Sequence, residues 1–166
     1  MARYLVTGGA GFIGSNIVEE LVRRKQEIVV IDDLSTGKRE NIKPFLDMIT
    51  FIEGDIRDRE LVRKALDGVD YVLHQAALAS VPRSIENPIL VNEVNVSGTL
   101  ILLEESRRAG VKRFVYAASS SAYGDTEILP KREDMNPSPL SPYAISKLTG
   151  EYYCSCLLYT SPSPRD

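Results

Sequence analysis

The segment Tyr143-Ala-Ile-Ser-Lys147 places a phenol and an ammonium four residues apart, downstream of a serine run at Ser119, Ser120 and Ser121. Residues i and i+4 of a helix share a face, so the Lys147 charge can sit near the Tyr143 hydroxyl and favour its ionised form. A phenol that titrates at about 10 is a poor base at neutral pH, and a neighbouring cation is the simplest way to bring it into range. Many Tyr-x-x-x-Lys pairs are only solvated helix faces. The spacing therefore counts only if the rest of the chain builds a site around it.

Such a site begins at the amino terminus. Arg3-Tyr-Leu-Val-Thr7 reads as a short apolar strand that runs into Gly8-Gly-Ala-Gly11-Phe-Ile-Gly14, the dinucleotide-binding pattern in its expected place. Gly11 allows a pyrophosphate to approach the backbone and Gly14 allows the next helix to pack closely on the sheet, while the helix amino terminus supplies N–H donors. That helix carries Ile13, Ile17, Val18, Leu21 and Val22 at amphipathic spacing and ends in Arg23, Arg24 and Lys25. A second strand, Glu27-Ile-Val-Val-Ile31, delivers Asp32 about 20 residues after the glycines, where a carboxylate can bind ribose hydroxyls. Asp32 and Asp33 would repel a 2′-phosphate, so NAD is the expected cofactor. Lys38 and Arg39 leave a second possibility, a loop that folds a cation back toward such a phosphate; solvated surface charge is the preferred reading.

Composition bounds the alternatives. A chain of 166 residues, 43% hydrophobic and 26% charged, can bury one core and not two full domains. No apolar run approaches the ~20 residues needed to span a bilayer, and the chain enters its first strand without a signal peptide, so a cytoplasmic location is expected. Cys154 and Cys156 are separated by one residue, which is neither a disulfide framework nor a metal-ligand spacing, and the single histidine, His74, reads as structural; no metal is expected. A net charge of −3 without a basic cluster gives no support to nucleic-acid binding.

Along the chain, apolar runs alternate with helical patterns: a strand at Ile49–Ile52, a helix near residues 59 to 66, a strand at Tyr71–His74, a long helix over 87 to 109 and a fifth strand at Arg113–Ala118. The alternation predicts an α/β fold, a doubly wound parallel sheet whose sites lie beyond the carboxyl ends of the strands. Ser119 to Ser121 fall at such an end. Ser141 and Pro142 are a good helix start, as N-cap and first helical residue, and put Tyr143 and Lys147 on the first turns of a helix that can face the crevice.

Taken together, these segments resemble the amino-terminal half of an extended short-chain dehydrogenase/reductase, and within that family the nucleotide-sugar 4-epimerases. The resemblance covers residues 3 to about 155 and rests on Thr7–Gly14, Asp32–Gly37, Gly54-Asp-Ile56, His74-Gln-Ala-Ala77, Asn95-Val-Ser-Gly-Thr99, Ser119-Ser-Ser-Ala-Tyr-Gly124 and the Tyr143/Lys147 pair. The segments at 74 to 84 and 117 to 125 are most similar to epimerases that accept N-acetylated UDP-hexoses.

The resemblance implies that Gly8, Gly11, Phe12, Ile13 and Gly14 hold the pyrophosphate, that Asp32, with Asp33, Ser35, Thr36 and Gly37, holds the adenosine ribose, and that Asp55 and Ile56 flank the adenine. Gln75, Ala76 and Ala77 would line the cofactor with their backbone, Ala79 and Ser80 would lie near the nicotinamide and sugar, and Asn95 would belong to the cofactor site. Ser119 would be the catalytic serine, with Ser120 and Ser121 on the substrate. The plainer alternatives are that Gly37 only turns the chain, Asn95 only caps a turn and the serines form an ordinary loop. The implied chemistry is a transient oxidation: Tyr143, aided by Lys147, takes the proton of the sugar 4-hydroxyl while C4 is oxidised on NAD, Ser119 steers the same oxygen, and reduction on the other face inverts C4.

Three rivals stand beside a UDP-hexose 4-epimerase. Related 4,6-dehydratases carry an Asp-Glu pair where this chain has Ser120 and Ser121; UDP-glucuronate decarboxylases share the oxidation step; a non-catalytic NAD-binding sensor would not need the phenol and ammonium. The resemblance also implies a homodimer built on the 87 to 109 and Tyr143 helices, and a chain about twice as long with a carboxyl-terminal sugar-nucleotide domain. Residues 1–155 are accordingly expected to form an incomplete NAD-binding Rossmann domain, truncated before that substrate domain. Residues 156–166 break both the helical pattern and the resemblance and match a peptide encoded by one frame of a widely used transposase sequencing adapter, so a non-native tail is expected; the alternative is a natural Pro/Ser-rich end.

Overall fold

The computed structural model describes residues 1–127 and 129–160. Five parallel strands form one sheet: β1 (Arg3–Thr7), β2 (Glu27–Asp32), β3 (Thr50–Glu53), β4 (Tyr71–His74) and β5 (Arg113–Tyr116), in the order β3-β2-β1-β4-β5. The order reverses between β1 and β4, and this is where an open parallel sheet leaves a crevice at its carboxyl edge. Leu5 is in register with Val29 on one side and Val72 on the other, and all three are buried, which is why the strands read as unbroken apolar runs.

Each strand pair is joined by a helical crossover. α1 (Phe12–Arg23) packs Val18 and Leu21 against Val6, Ile28 and Val30. The other face of the sheet is covered by α3 (Arg59–Ala65), whose N-cap Asp58 accepts from the Glu60 and Leu61 amides, and by α6 (Thr99–Arg108); Val62, Ala65 and Leu102 complete that core. α3 and α6 are joined by Glu105, whose buried carboxylate accepts from Arg59 Nε at 2.6 Å and Arg63 Nε at 3.0 Å. Two segments lay outside the sequence reading. They are α2 (Arg39–Ile42), continued by a 3-10 turn over Lys43–Met48, and the short α4 (Val81–Glu86), capped by Ser80.

The helix expected over 87 to 109 is present but not uniform. It comprises α5 (Pro88–Asn92), a π-helical turn over Glu93–Gly98, and then α6. Such turns concentrate at functional sites because the inserted residue redirects side chains. The last element, α7 (Pro142–Thr160), starts as expected, with the Ala144 amide donating to Ser141 Oγ at 3.1 Å. It does not end at Cys156 as the sequence reading had it. Cys156, Leu157, Leu158 and Tyr159 all retain a backbone N–H, and the first proline past Pro142 is Pro162, so nothing interrupts the helix before Thr160. The rest of the proposed non-native tail, 161–166, lies outside the described residues. Among the described residues, no helix is long and apolar enough to cross a membrane, and no group of three or more His, Cys, Asp or Glu side chains could hold a metal ion.

Candidate active site

A cleft of about 300 Å³ opens at the carboxyl ends of β1, β2, β3 and β4. Gly8, Gly11, Phe12, Ile13 and Gly14 form its floor; Asp32, Asp33, Ser35, Thr36 and Gly37 line one side, Asp55 and Ile56 the far end, and Gln75, Ala76 and Ala77 the other side. Every residue assigned to the dinucleotide between Gly8 and Ala77 thus borders one cavity. Ile31, Gly54, Leu78 and Val94 border it too. The sequence reading omitted these four, although each adjoins an assigned residue: Asp32, Asp55, Ala77 and Asn95 respectively.

The lining fits a dinucleotide. No side chain caps α1 and no carboxylate lies in its first turn, so the N–H groups at that terminus remain available to an anion such as a pyrophosphate. Gly14 is there for contact: a Cβ at this position would stand 2.1 Å from the Gly8 carbonyl oxygen, so only glycine lets α1 approach the loop. The Asp32 carboxylate is buried and oriented by the Ala10 and Leu34 amides, each donating at 2.9 Å, which leaves lone pairs for ribose hydroxyls. Burial raises its pKa, a rise opposed by those two amides and reinforced by Asp33. Of the two cations that could have turned toward a 2′-phosphate, Arg39 is engaged elsewhere: its guanidinium lies over the Phe51 ring and pairs with Glu53 at 3.0 Å.

The remaining candidates do not line that cleft. Asn95 stands behind its wall, 1% exposed, with its side chain fully engaged: Oδ1 accepts from the Leu78 amide at 2.8 Å, and Nδ2 donates to the Leu78 carbonyl at 3.3 Å and to Ser146 Oγ at 3.1 Å. Ser146 lies between Tyr143 and Lys147 on α7 and donates in turn to the Tyr143 carbonyl at 2.7 Å. The asparagine therefore ties the helix bearing the phenol and ammonium to Leu78 of the cleft wall.

His74 extends the same network. Thr99 Oγ1 donates to the Asn95 carbonyl at 2.6 Å, so it can only accept from His74 Nε2 at 2.9 Å. Nδ1 is then the acceptor, and takes the Thr7 hydroxyl proton at 2.6 Å, while Thr7 Oγ1 accepts from the Ala76 amide at 3.3 Å. The ring is buried and neutral; burial, with a smaller contribution from the Lys147 charge, lowers its pKa to about 3. The structural role read from the sequence has this content.

Ser119 caps the 3-10 turn over Ser120–Tyr123, accepting from the Ser121 amide at 3.3 Å, and its hydroxyl shares a proton with Ser121 Oγ at 2.7 Å. Ser120 is exposed; Ala79 is exposed beside Leu78, and Ser80 begins α4. Lys147 is buried, which lowers its pKa to about 8 against the opposing influence of Cys154 and Glu151. A cation of that kind keeps most of its charge at neutral pH and is little screened by bulk water.

A model of the NAD dependent epimerase/dehydratase family matches residues 4–157. UDP-glucose 4-epimerase of Neisseria meningitidis serogroup C is 41% identical over 170 residues, covering 98% of this chain and 50% of that protein. Among solved structures, UDP-glucose 4-epimerase of Thermus thermophilus, in complex with NAD, superposes with a TM-score of 0.89 at 45% identity, over 96% of this chain and 51% of the other. A dTDP-glucose 4,6-dehydratase of Streptomyces venezuelae with NAD bound gives 0.91 at 38% identity, over 95% and 52%. The chain spans about half the length of the curated relatives it matches. A family match that runs from the first strand into the last helix, over a parallel sheet with this cleft at its switch point, makes the chain a member of the NAD dependent epimerase/dehydratase family.

Proposed function

We propose that these residues serve an NAD-dependent UDP-hexose 4-epimerase, acting on UDP-glucose or UDP-N-acetylglucosamine in the whole protein. The observation that supports the reading is the hydrogen-bonded path from Leu78 through Asn95 and Ser146 to the backbone carbonyl of Tyr143, which ties the wall of the cleft to the helix that carries Tyr143 and the buried Lys147. Gly8 to Gly14, Asp32 to Gly37, Asp55, Ile56 and Gln75 to Ala77 would hold NAD, which when bound takes a hydride from the sugar carbon and returns it. Tyr143 acts as the base for the sugar 4-hydroxyl and later returns the proton; Lys147 stabilises the phenolate; Ser119 exchanges its bond to Ser121 for one to the same sugar oxygen. Ser120, Ser121, Ala79 and Ser80 would contact the sugar. The uridine nucleotide is the expected second ligand.

Dehydration is the nearest rival, since a dehydratase shares this fold. The two side chains that follow Ser119 are hydroxyls, one of them bonded back to Ser119 at 2.7 Å, and neither serves as the acid that expels water from a sugar. A homodimer is also proposed. Ile85 on α4, Ile89 on α5 and Ile145 and Tyr152 on α7 are exposed, 66%, 72%, 54% and 56% respectively, apolar side chains that a second copy would cover.

Full-length protein incubated with UDP-glucose, UDP-N-acetylglucosamine and UDP-glucuronate should yield the C4 epimer of a hexose, with no carbon dioxide and no 4-keto-6-deoxy product. Tyr143→Phe should abolish epimerisation, at least 100-fold on the scale of a lost general base (roughly 10²–10⁴), while NAD stays bound. Turnover close to wild type in that variant would defeat the assignment.

A further inference from the structure

Lys147 has no ion pair or hydrogen bond to its ammonium among the described residues, although the side chain is almost fully buried. What the ammonium faces is the ring of Tyr116, at the carboxyl end of β5, with Nζ 4.3 Å from the ring centroid. The ring is held on two sides. Its hydroxyl donates to the Lys147 carbonyl at 3.3 Å, and His74 packs behind it with centroids 5.7 Å apart. A third feature makes room for it: a Cβ on Gly150 would stand 2.3 Å from the Tyr116 hydroxyl oxygen and 2.5 Å from Cζ. Glycine in the middle of a helix is otherwise unfavourable, so its presence one turn past Lys147 has a use here.

We propose that Tyr116 is a positioning residue for the reaction, its ring face holding the Lys147 ammonium in place on the helix that carries Tyr143 and keeping it cationic. The inference rests on the epimerase reading for its consequence but not for its geometry. A desolvated ammonium over an aromatic face is attracted by the ring quadrupole, and this offsets part of the burial that otherwise favours the neutral amine. The other titratable groups around Lys147 do not supply that charge balance fully. Burial raises the Cys154 thiol to about 11, so it is uncharged at neutral pH, and burial raises the Glu151 carboxyl. His74 of β4 is neutral, and burial raises the phenol of Tyr116 itself, so it remains protonated beside the lysine.

The test replaces the ring without reshaping the pocket. In the full-length enzyme, Tyr116→Phe and a series of progressively fluorinated phenylalanines at position 116 keep the shape while the ring face loses its negative potential. The Lys147 titration, followed by carbon-13 NMR of labelled lysine and assigned with Lys147→Arg, should keep its midpoint in Tyr116→Phe and fall with fluorination by roughly one pH unit in total. The alkaline limb of kcat/KM for epimerisation should move down with it. A midpoint unchanged across the series would overturn the proposal, as would a fall in Tyr116→Phe as large as in the fluorinated variants, which would assign the effect to the hydroxyl. Absence of epimerisation in wild-type enzyme would defeat the epimerase reading, and the lysine midpoint alone would then decide the role of Tyr116.

Discussion

His74 shows how one side chain can be diagnosed from its neighbours. Because Thr99 gives its proton to the Asn95 carbonyl, the imidazole must donate from Nε2 and accept at Nδ1, and a second proton on Nδ1 would force the Thr7 hydroxyl to withdraw its own donation while adding a buried charge. The unfolded chain takes up that proton near 6.5, whereas the folded chain resists it to about 3. In that window the unfolded state binds more protons, so stability is complete above about 6.5 and is lost progressively as the pH falls. Between 6.5 and 5.5, where ordinary carboxylates are still largely ionised, the denaturation midpoint should fall more steeply with decreasing pH in wild type than in His74→Gln, whose residual slope reflects carboxyls with raised pKa values such as Asp32 and Glu151. Equal slopes would mean that the imidazole is not the titrating group.

At the scale of elements, the π-helical turn between α5 and α6 carries the most information. It puts the Asn95 side chain against both polar groups of Leu78 and against Ser146, so a crossover helix fixes the distance between the cleft wall and α7. Asn95→Ala would leave buried backbone groups of Leu78 without partners and should destabilise the protein by about 2 kcal/mol in denaturant titration. If Asn95 acts as this clamp, kcat falls further than NAD affinity does. A loss of NAD affinity equal to or greater than the loss of kcat would instead support the cofactor-site role that the family resemblance implies for Asn95.

At the scale of the whole molecule, the described sheet ends at β5, whose Val115 is 44% exposed, and the α5 and α7 surfaces expose Ile89, Ile145 and Tyr152. An unpaired edge strand next to uncovered apolar surface favours association with other chains. The 166-residue polypeptide alone should therefore self-associate, seen as high scattering mass and a broad melt. A monodisperse monomer with a sharp two-state melt would contradict this.

Much of the molecule was legible in the residues alone, because the signals are local. A strand running into glycines, an amphipathic helix and an acid at the next strand's end specify a βαβ unit by hydrophobic period and turn chemistry, and Ser141-Pro142 marks the start of α7 by capping. Those features mark the glycine loop and the acid that border the cleft, whereas the residues from Ser35 to Ala77 on its walls were assigned through the family resemblance. The roles of Asn95, His74 and Tyr116 depended instead on partners 17 or more residues away, such as Leu78, Thr7 and Lys147, and on the directions in which shared protons point. Spacing along a chain carries no record of which hydroxyl has already given its proton away or which ring lies under a buried charge; only packing the crossover helices onto the sheet decides it.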